Sequence, residues 1–415
     1  MNRRNFLFAL LLLLLMIPCA TWSAHPTQST ASQNTQNILS VRFALGGNAA
    51  EVPAEFVEGL VFLPVRVNGS QPSLFELDSN APVSSVDPKR AAELGLPSVP
   101  VPSDAAVSGA SEIRSAVITL PGVDIAMLSI PTASKENFAS LVGRAYQGML
   151  GNDFLSRVIV EVDYSRQTVR LYDPGAFVYS GKGSSFPLSF SGSMPLIHAK
   201  FSLPGQKTRE GDFNIDTALN QSVVFAETFA QSHRLFSSHL HTIADVYQPT
   251  GDGNQLLVGR IKAFDIGKYS AEEVIAAFSQ SVPGAQPNSK IAGTIGGRFL
   301  SRFIVTFDFP HRRLFLEPNS HFGDYAETDM SGLSIVARGA SLKTFEIVQV
   351  EPHTPGADAG LKKGDIIAGV DEEAAADLTL AELRTLFRQI GHQYKLLIDR
   401  NGQTQQITVK MRRLA

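Results

Sequence analysis

The sequence predicts a mainly β protein: two pseudo-symmetric β-barrel lobes followed by a small α+β unit. Three observations carry that expectation. From Val41 onward, short apolar runs such as "LVFLPVRVNG", "SAVITLPG" and "TVRLYDP" are separated by Gly, Pro, Asn and Ser, the pattern of strands joined by tight turns. One segment is written twice. "GMLGNDFLSRVIVEVDYSRQTVRL" (Gly148 to Leu171) and "GTIGGRFLSRFIVTFDFPHRRLFL" (Gly293 to Leu316) agree at ten of 24 positions, in register, at an offset of 145. The last part, 329–413, has a different texture, in which strand-like runs enclose one helical stretch; at about 85 residues it is large enough to fold alone.

The elements follow in order. The opening "MNRRNFLFALLLLLLMIPCATWSA" has two arginines, an apolar run from Phe6 to Ile17 and small residues near Ser23 and Ala24, which predicts a signal peptide over 1–24. The apolar run is too short to span a bilayer core of about 30 Å. Export to the periplasm or the exterior is therefore expected, with membrane association as the alternative if the segment is retained. Residues 25–40 are Ser/Thr/Gln-rich and read as a tether. Lobe 1 is placed at 41–178 and lobe 2 at 179–322. "DPKRAAELGL" after residue 86 predicts a short helix, and "EEVIAAFSQS" (Glu272 to Ser281) reads as an ordinary packed helix. In the last unit, Thr379 and Glu382 stand in capping-box spacing, and Asn401-Gly402 predicts a hairpin turn.

Composition narrows the chemistry. The chain of 415 residues is 44% hydrophobic and 18% charged, with one cysteine, Cys19, inside the predicted signal segment. Thiol and disulfide chemistry is thus not expected beyond it. Without Arg3 and Arg4 the chain has 34 basic against 39 acidic residues, a balance that does not suggest nucleic acid. There is no Gly-x-Ser-x-Gly elbow, phosphate loop or dinucleotide fingerprint, so no cofactor is expected. "SHLH" offers His239 and His241 but no third ligand, so the pair reads as surface residues and no metal is expected.

The candidate chemistry lies in two matching stretches. "FELDSNAPVSS" (Phe75 to Ser85) and "FNIDTALNQSVVF" (Phe213 to Phe225) each place an Asp after an apolar run and a hydroxyl residue straight after it. The two Asp residues, Asp78 and Asp216, are 138 apart, close to the repeat offset. Each lobe then reads apolar-Asp-Ser/Thr, a Gly-containing hairpin, apolar-apolar-Gly and a terminal hairpin. That order resembles the retropepsin-like aspartic proteases over roughly residues 55–320, here with both lobes fused in one chain, a monomer with an internal pseudo-dimer. The resemblance implies catalytic Asp78 and Asp216, with Ser79 and Thr217 cross-bracing their loops and Gly151 and Gly296 supporting them. It also implies flaps at Val107 to Ala110, with Gly109, and at Thr250 to Gly253, with Gly251. Paired carboxylates share one proton, so one can deprotonate a water while the other donates to a peptide carbonyl.

Where the family has a third-position glycine, this chain has Asn80 and Ala218. Two functions are therefore open: an aspartic endopeptidase acting on peptide or protein substrates, or a catalytically impaired protein that binds peptides in the same cleft. "EPHTPGADAGLKKGDIIAGVD" resembles the centre of PDZ domains. That resemblance implies a carboxylate-binding loop at Gly332, Leu333 and Ser334, a peptide-pairing edge strand from Ile335, and a C-terminal peptide as ligand.

Overall fold

The computed structural model describes residues 40–101, 111–236, 242–246, 255–280, 291–324 and 327–414. The predicted signal peptide, the tether up to residue 39, both predicted flap glycines (Gly109 and Gly251), and His239 and His241 lie outside these residues.

Lobe 1 is built on a sheet in which the Leu60–Val67 strand pairs with β1 (Ser73–Leu77). After the Asp78 loop, β2 (Ser85–Val86) leads into the Pro88–Glu93 helix, whose first turn is capped by Asp87 Oδ1 accepting from the Lys89 and Arg90 amides. A long hairpin, Ser111–Leu120 with Val123–Pro131, is followed by α1 (Glu136–Val142), which ends at Gly143 in the left-handed conformation (φ 74°). β3 (Gly148–Leu150) then inserts between β1, to which it is parallel, and β2, to which it is antiparallel.

Lobe 2 repeats the plan. β4 (Arg209–Asp216) and β5 (Val223–Phe225) flank β6 (Ile291–Gly296), again parallel on one side and antiparallel on the other. Its core is aromatic: Phe213 and Phe225 are fully buried, and Phe225 stacks on Phe278 at 5.1 Å between centroids. Each such ring contributes about 2–3 kcal/mol by its burial.

The stretch Glu272 to Ser281 is not the expected helix. Tyr269–Gln280 is a strand paired with Gln255–Ile266, with Glu273 at φ 51° where the register is interrupted. Ala276 and Phe278 enter the main core while Ile275 and Ala277 enter a second cluster. A strand buried on both faces has no alternation for a reader to see, and it mimics a buried helix.

The two lobes are joined by one six-stranded sheet with the duplicated strands at its centre. Ile159–Asp163 pairs antiparallel with Phe303–Asp308, Val160 facing Phe307 and Val162 facing Val305. Val160 and Val305 are equivalent in the repeat, as are Val162 and Phe307. The contact is thus self-complementary, as in a two-fold dimer.

The C-terminal unit has its own core, including Phe345, Ile347, Leu383 and Leu396. Among the described residues, β7 (Leu333–Arg338) pairs only with Thr344–Val350 and is an edge strand. α2 (Leu380–Leu386) starts with the expected capping box, made in both directions between Thr379 and Glu382. Asn401 and Gly402 have φ 55° and 80° and turn the final hairpin, as expected.

Candidate active site

Each Asp stands at the end of a strand and beside a glycine of a parallel neighbour. Asp78 follows β1 and its amide donates to Leu150 O at 2.9 Å, while Asp216 ends β4 opposite Gly296. The hydroxyl residues tie the two loops together through four buried bonds. Ser79 N donates to Thr217 Oγ1 (2.9 Å), which donates to Leu77 O (2.6 Å). Thr217 N donates to Ser79 Oγ (3.2 Å), which donates to Ile215 O (2.8 Å). Each hydroxyl bridges one amide and one carbonyl of the opposite lobe, so neither loop can shift without breaking bonds on both sides.

Backbone amides fix the carboxyls. Asp78 Oδ1 accepts from Asn80 N (2.8 Å) and Ala81 N (2.9 Å), and Asp216 Oδ1 accepts from Ala218 N (2.9 Å). Across the junction, Asn80 Nδ2 donates to Asp216 Oδ2 at 3.3 Å. Gly151 and Gly296 lie directly under the loops that follow each Asp. A Cβ on Gly151 would stand 2.7 Å from the Val83 carbonyl carbon, and one on Gly296 would stand 2.3 Å from Gln221 O. No side chain fits there. Asn80 and Ala218 are a different matter, for neither has a positive φ. Their amides make the bonds that a glycine would make, so the substitution carries no backbone strain.

Burial raises both acids. At Asp216 the charge of Asp78 adds to burial, outweighs the Ala218 and Asn80 donors, and takes the carboxyl up to about 7. Asp78 is raised by burial against its two amides and a nearby ammonium, that of Lys135.

Several residues that the sequence did not single out converge here. Glu76 is 3% exposed and faces Asp78, Asp216, Lys135 and the Tyr146 hydroxyl, and burial pushes its carboxyl well above the usual range. Lys135, 5% exposed, places Nζ 2.8 Å from Ser85 Oγ. The only signal for Glu76 was a charge at an inward position of a strand, and "ASKEN" around Lys135 looks like any polar loop. A third cluster lies away from the dyad. Glu58 is buried among Arg298 of lobe 2 (2.5 Å) and Arg384 (2.7 Å) and Arg388 of the C-terminal unit.

Of the predicted peptide-binding residues, Gly332 needs its glycine: φ is 72° and a Cβ would lie 2.2 Å from the Thr354 side chain. The Leu333 amide is already used, donating to Ser331 Oγ at 3.2 Å. The outer edge of β7 is not open either. α1 of lobe 1 lies against it. Arg384 spans from α2 to Ile335 O on β7 (3.2 Å) and to Leu141 O on α1 (3.0 Å), and Gly143 abuts Leu380 closely enough that a Cβ would stand 2.5 Å away.

A family model for the PDZ domain matches residues 332–411, so the C-terminal unit is a PDZ domain. Among solved structures, the chain is similar to an aspartic proteinase from Irpex lacteus at 15% identity, covering 66% of this chain and 99% of that one, with a TM-score of 0.42. It is also similar to basic 7S globulin from soybean at 12% identity, covering 66% and 96%, with a TM-score of 0.38. A photosystem II D1 C-terminal processing protease matches 22% of this chain and 25% of its own at 22% identity, with a TM-score of 0.20. No curated protein matches.

Proposed function

We propose that this chain is an aspartic-type endopeptidase that cleaves extended peptides between its two lobes. The observation that supports this reading best is the reciprocal Ser79–Thr217 brace, which ties together the loops carrying two amide-oriented carboxyls across a pseudo-two-fold axis. Such carboxyls do not ionise together at low energetic cost, so the pair carries one proton over a wide pH range. Asp78, on which two backbone amides and the Lys135 charge act, is the ionised partner and takes a proton from a bound water. Asp216, held up to about 7, supplies the proton to the peptide carbonyl oxygen. The water oxygen adds to the carbonyl carbon, and collapse of the tetrahedral species expels the amine, which takes a proton from the dyad. The predicted signal segment supports export, with action in the periplasm or outside the cell; fractionation of cells expressing the full chain checks that.

The test is incubation of the full chain with an unstructured polypeptide across pH 3–8, with and without a statine-type inhibitor. Inhibitable cleavage is expected, and Asp78→Asn or Asp216→Asn should each abolish it, because neither carboxyl alone serves as both base and acid. Cleavage that survives either change overturns the reading.

A further inference from the structure

We propose that Lys135 is a positioning residue for the dyad: its buried ammonium, seated on Ser85 behind Asp78, holds the pair's negative charge on Asp78 and leaves Asp216 as the protonated partner. This rests on the aspartic-protease reading and assigns the two acids their roles within it.

The geometry begins in the sheet. Met149 on β3 faces Glu76 on β1 and Ser85 on β2, so the three residues form one row across the strands and present side chains to the same face. Asp78 follows Glu76 by two residues and continues that face past the end of β1. Lys135 reaches this face from the start of α1, its backbone amide anchored on Asp87 Oδ2 at 3.1 Å and its Nζ on Ser85 Oγ at 2.8 Å. A 5%-exposed lysine with one hydroxyl as its seat is costly without a negative partner.

The groups around it decide which partner that is. Lys135 faces Glu76 and Asp78 on the β1 side and Asp87 at the cap of the Pro88–Glu93 helix. Glu76 is raised well above the usual carboxyl range, by burial first and then by the Asp78 and Asp216 charges, while the Tyr146 hydroxyl and Lys135 favour its charged form. Asp87, held by the Lys89, Arg90 and Lys135 amides, acts on Lys135 less than Glu76 and Asp78 do. Of the two dyad acids, Asp78 continues the face on which Lys135 is seated and feels its charge, whereas the leading influences on Asp216 are burial, the Asp78 charge and neutral donors. Backbone amides act on both acids, those of Asn80 and Ala81 on Asp78 and those of Ala218 and Leu219 on Asp216. What stands against Lys135 is therefore the side-chain donor on Asp216, Asn80 Nδ2 at 3.3 Å. In a buried site a full charge outweighs one long neutral hydrogen bond.

The experiment reads the dyad twice. Carboxyl-carbon NMR of Asp-labelled full chain follows the titration of Asp78 and Asp216 whether or not the protein cleaves anything, and the pH profile of kcat/KM follows it in turnover. Lys135→Met is expected to move the lower titration midpoint, and the acid limb of the profile, upward by about one pH unit. Lys135→Arg should restore both. Ser85→Ala, which removes only the seat, should shift the midpoint the same way by less, and it serves if Lys135→Met does not fold. An unchanged midpoint in folded Lys135→Met, or in Ser85→Ala where Lys135→Met fails to fold, overturns the proposal. A shifted midpoint in a chain that never cleaves would sink the protease reading and leave the electrostatic one standing.

Discussion

Asp216 is held protonated well above the ordinary carboxyl value, and that has a consequence for stability as well as for chemistry. Between its ordinary value of 3.8 and about 7, the folded chain keeps a proton that the unfolded chain has released. Its stabilising contribution is therefore full below about pH 4 and is lost as pH rises towards 7. Asp216→Asn, which stays neutral, should match the native protein at pH 4 and exceed it at pH 8 by on the order of 2 kcal/mol. Thermal melts at the two pH values check the sign. Asn80 and Ala218 separate at this scale too. Ala218→Gly keeps the amide that binds Asp216 Oδ1, and it should leave the pH profile of cleavage in place. Asn80→Gly removes the donor to Asp216 Oδ2, so Asp216 should hold its proton more tightly and the basic limb should move up by a few tenths of a pH unit, on the order expected for one hydrogen bond. A basic limb that moves down would contradict this account of Asn80.

At the scale of elements, α1 has two ends with two tasks. Its start carries Lys135 to the floor behind Asp78, while its end, through Leu141 and Gly143, meets Arg384 and Leu380 of α2 beside the β7 edge. An incoming peptide strand needs the outward acceptors of β7, and Ile335 O is already bonded to Arg384. The native full chain should therefore bind free C-terminal peptides weakly, and Arg384→Ala should bind them at least about tenfold more tightly, equivalent to about 1.4 kcal/mol. Fluorescence anisotropy with free and amidated peptides measures both the opening and its dependence on the terminal carboxylate. Equal affinity of native and variant chains would mean that α1 and Arg384 do not restrict the groove.

At the scale of the molecule, Glu58 ties all three parts together. Burial alone would raise its carboxyl, but Arg298, Arg384 and Arg388 overcome that and hold it at about 2. Its contribution is thus present above its ordinary 4.5 and lost as pH falls through about 2. Glu58→Gln leaves three guanidinium groups around a neutral side chain and should cost about 3 kcal/mol at neutral pH, with the gap narrowing on acidification. Denaturant melts along a pH series would show it. The same scale shows how the lobes meet: the central sheet pairs one copy of the repeat with the other, Val162 against Val305.

Much of this was legible in the residues in order. The repeat at 148 and 293, the two apolar-Asp-hydroxyl stretches and the capping box at Thr379 are local patterns, and strands, turns and caps obey local rules. The brace between Ser79 and Thr217 followed from the repeat together with the family resemblance. What tertiary structure alone decided is everything that depends on burial. The strand at Tyr269–Gln280 hides its period because both faces are covered. Glu58, Glu76 and Lys135 look like surface charges in sequence, and they become determinants of the site and the assembly because residues far away in the chain remove their water and choose their partners.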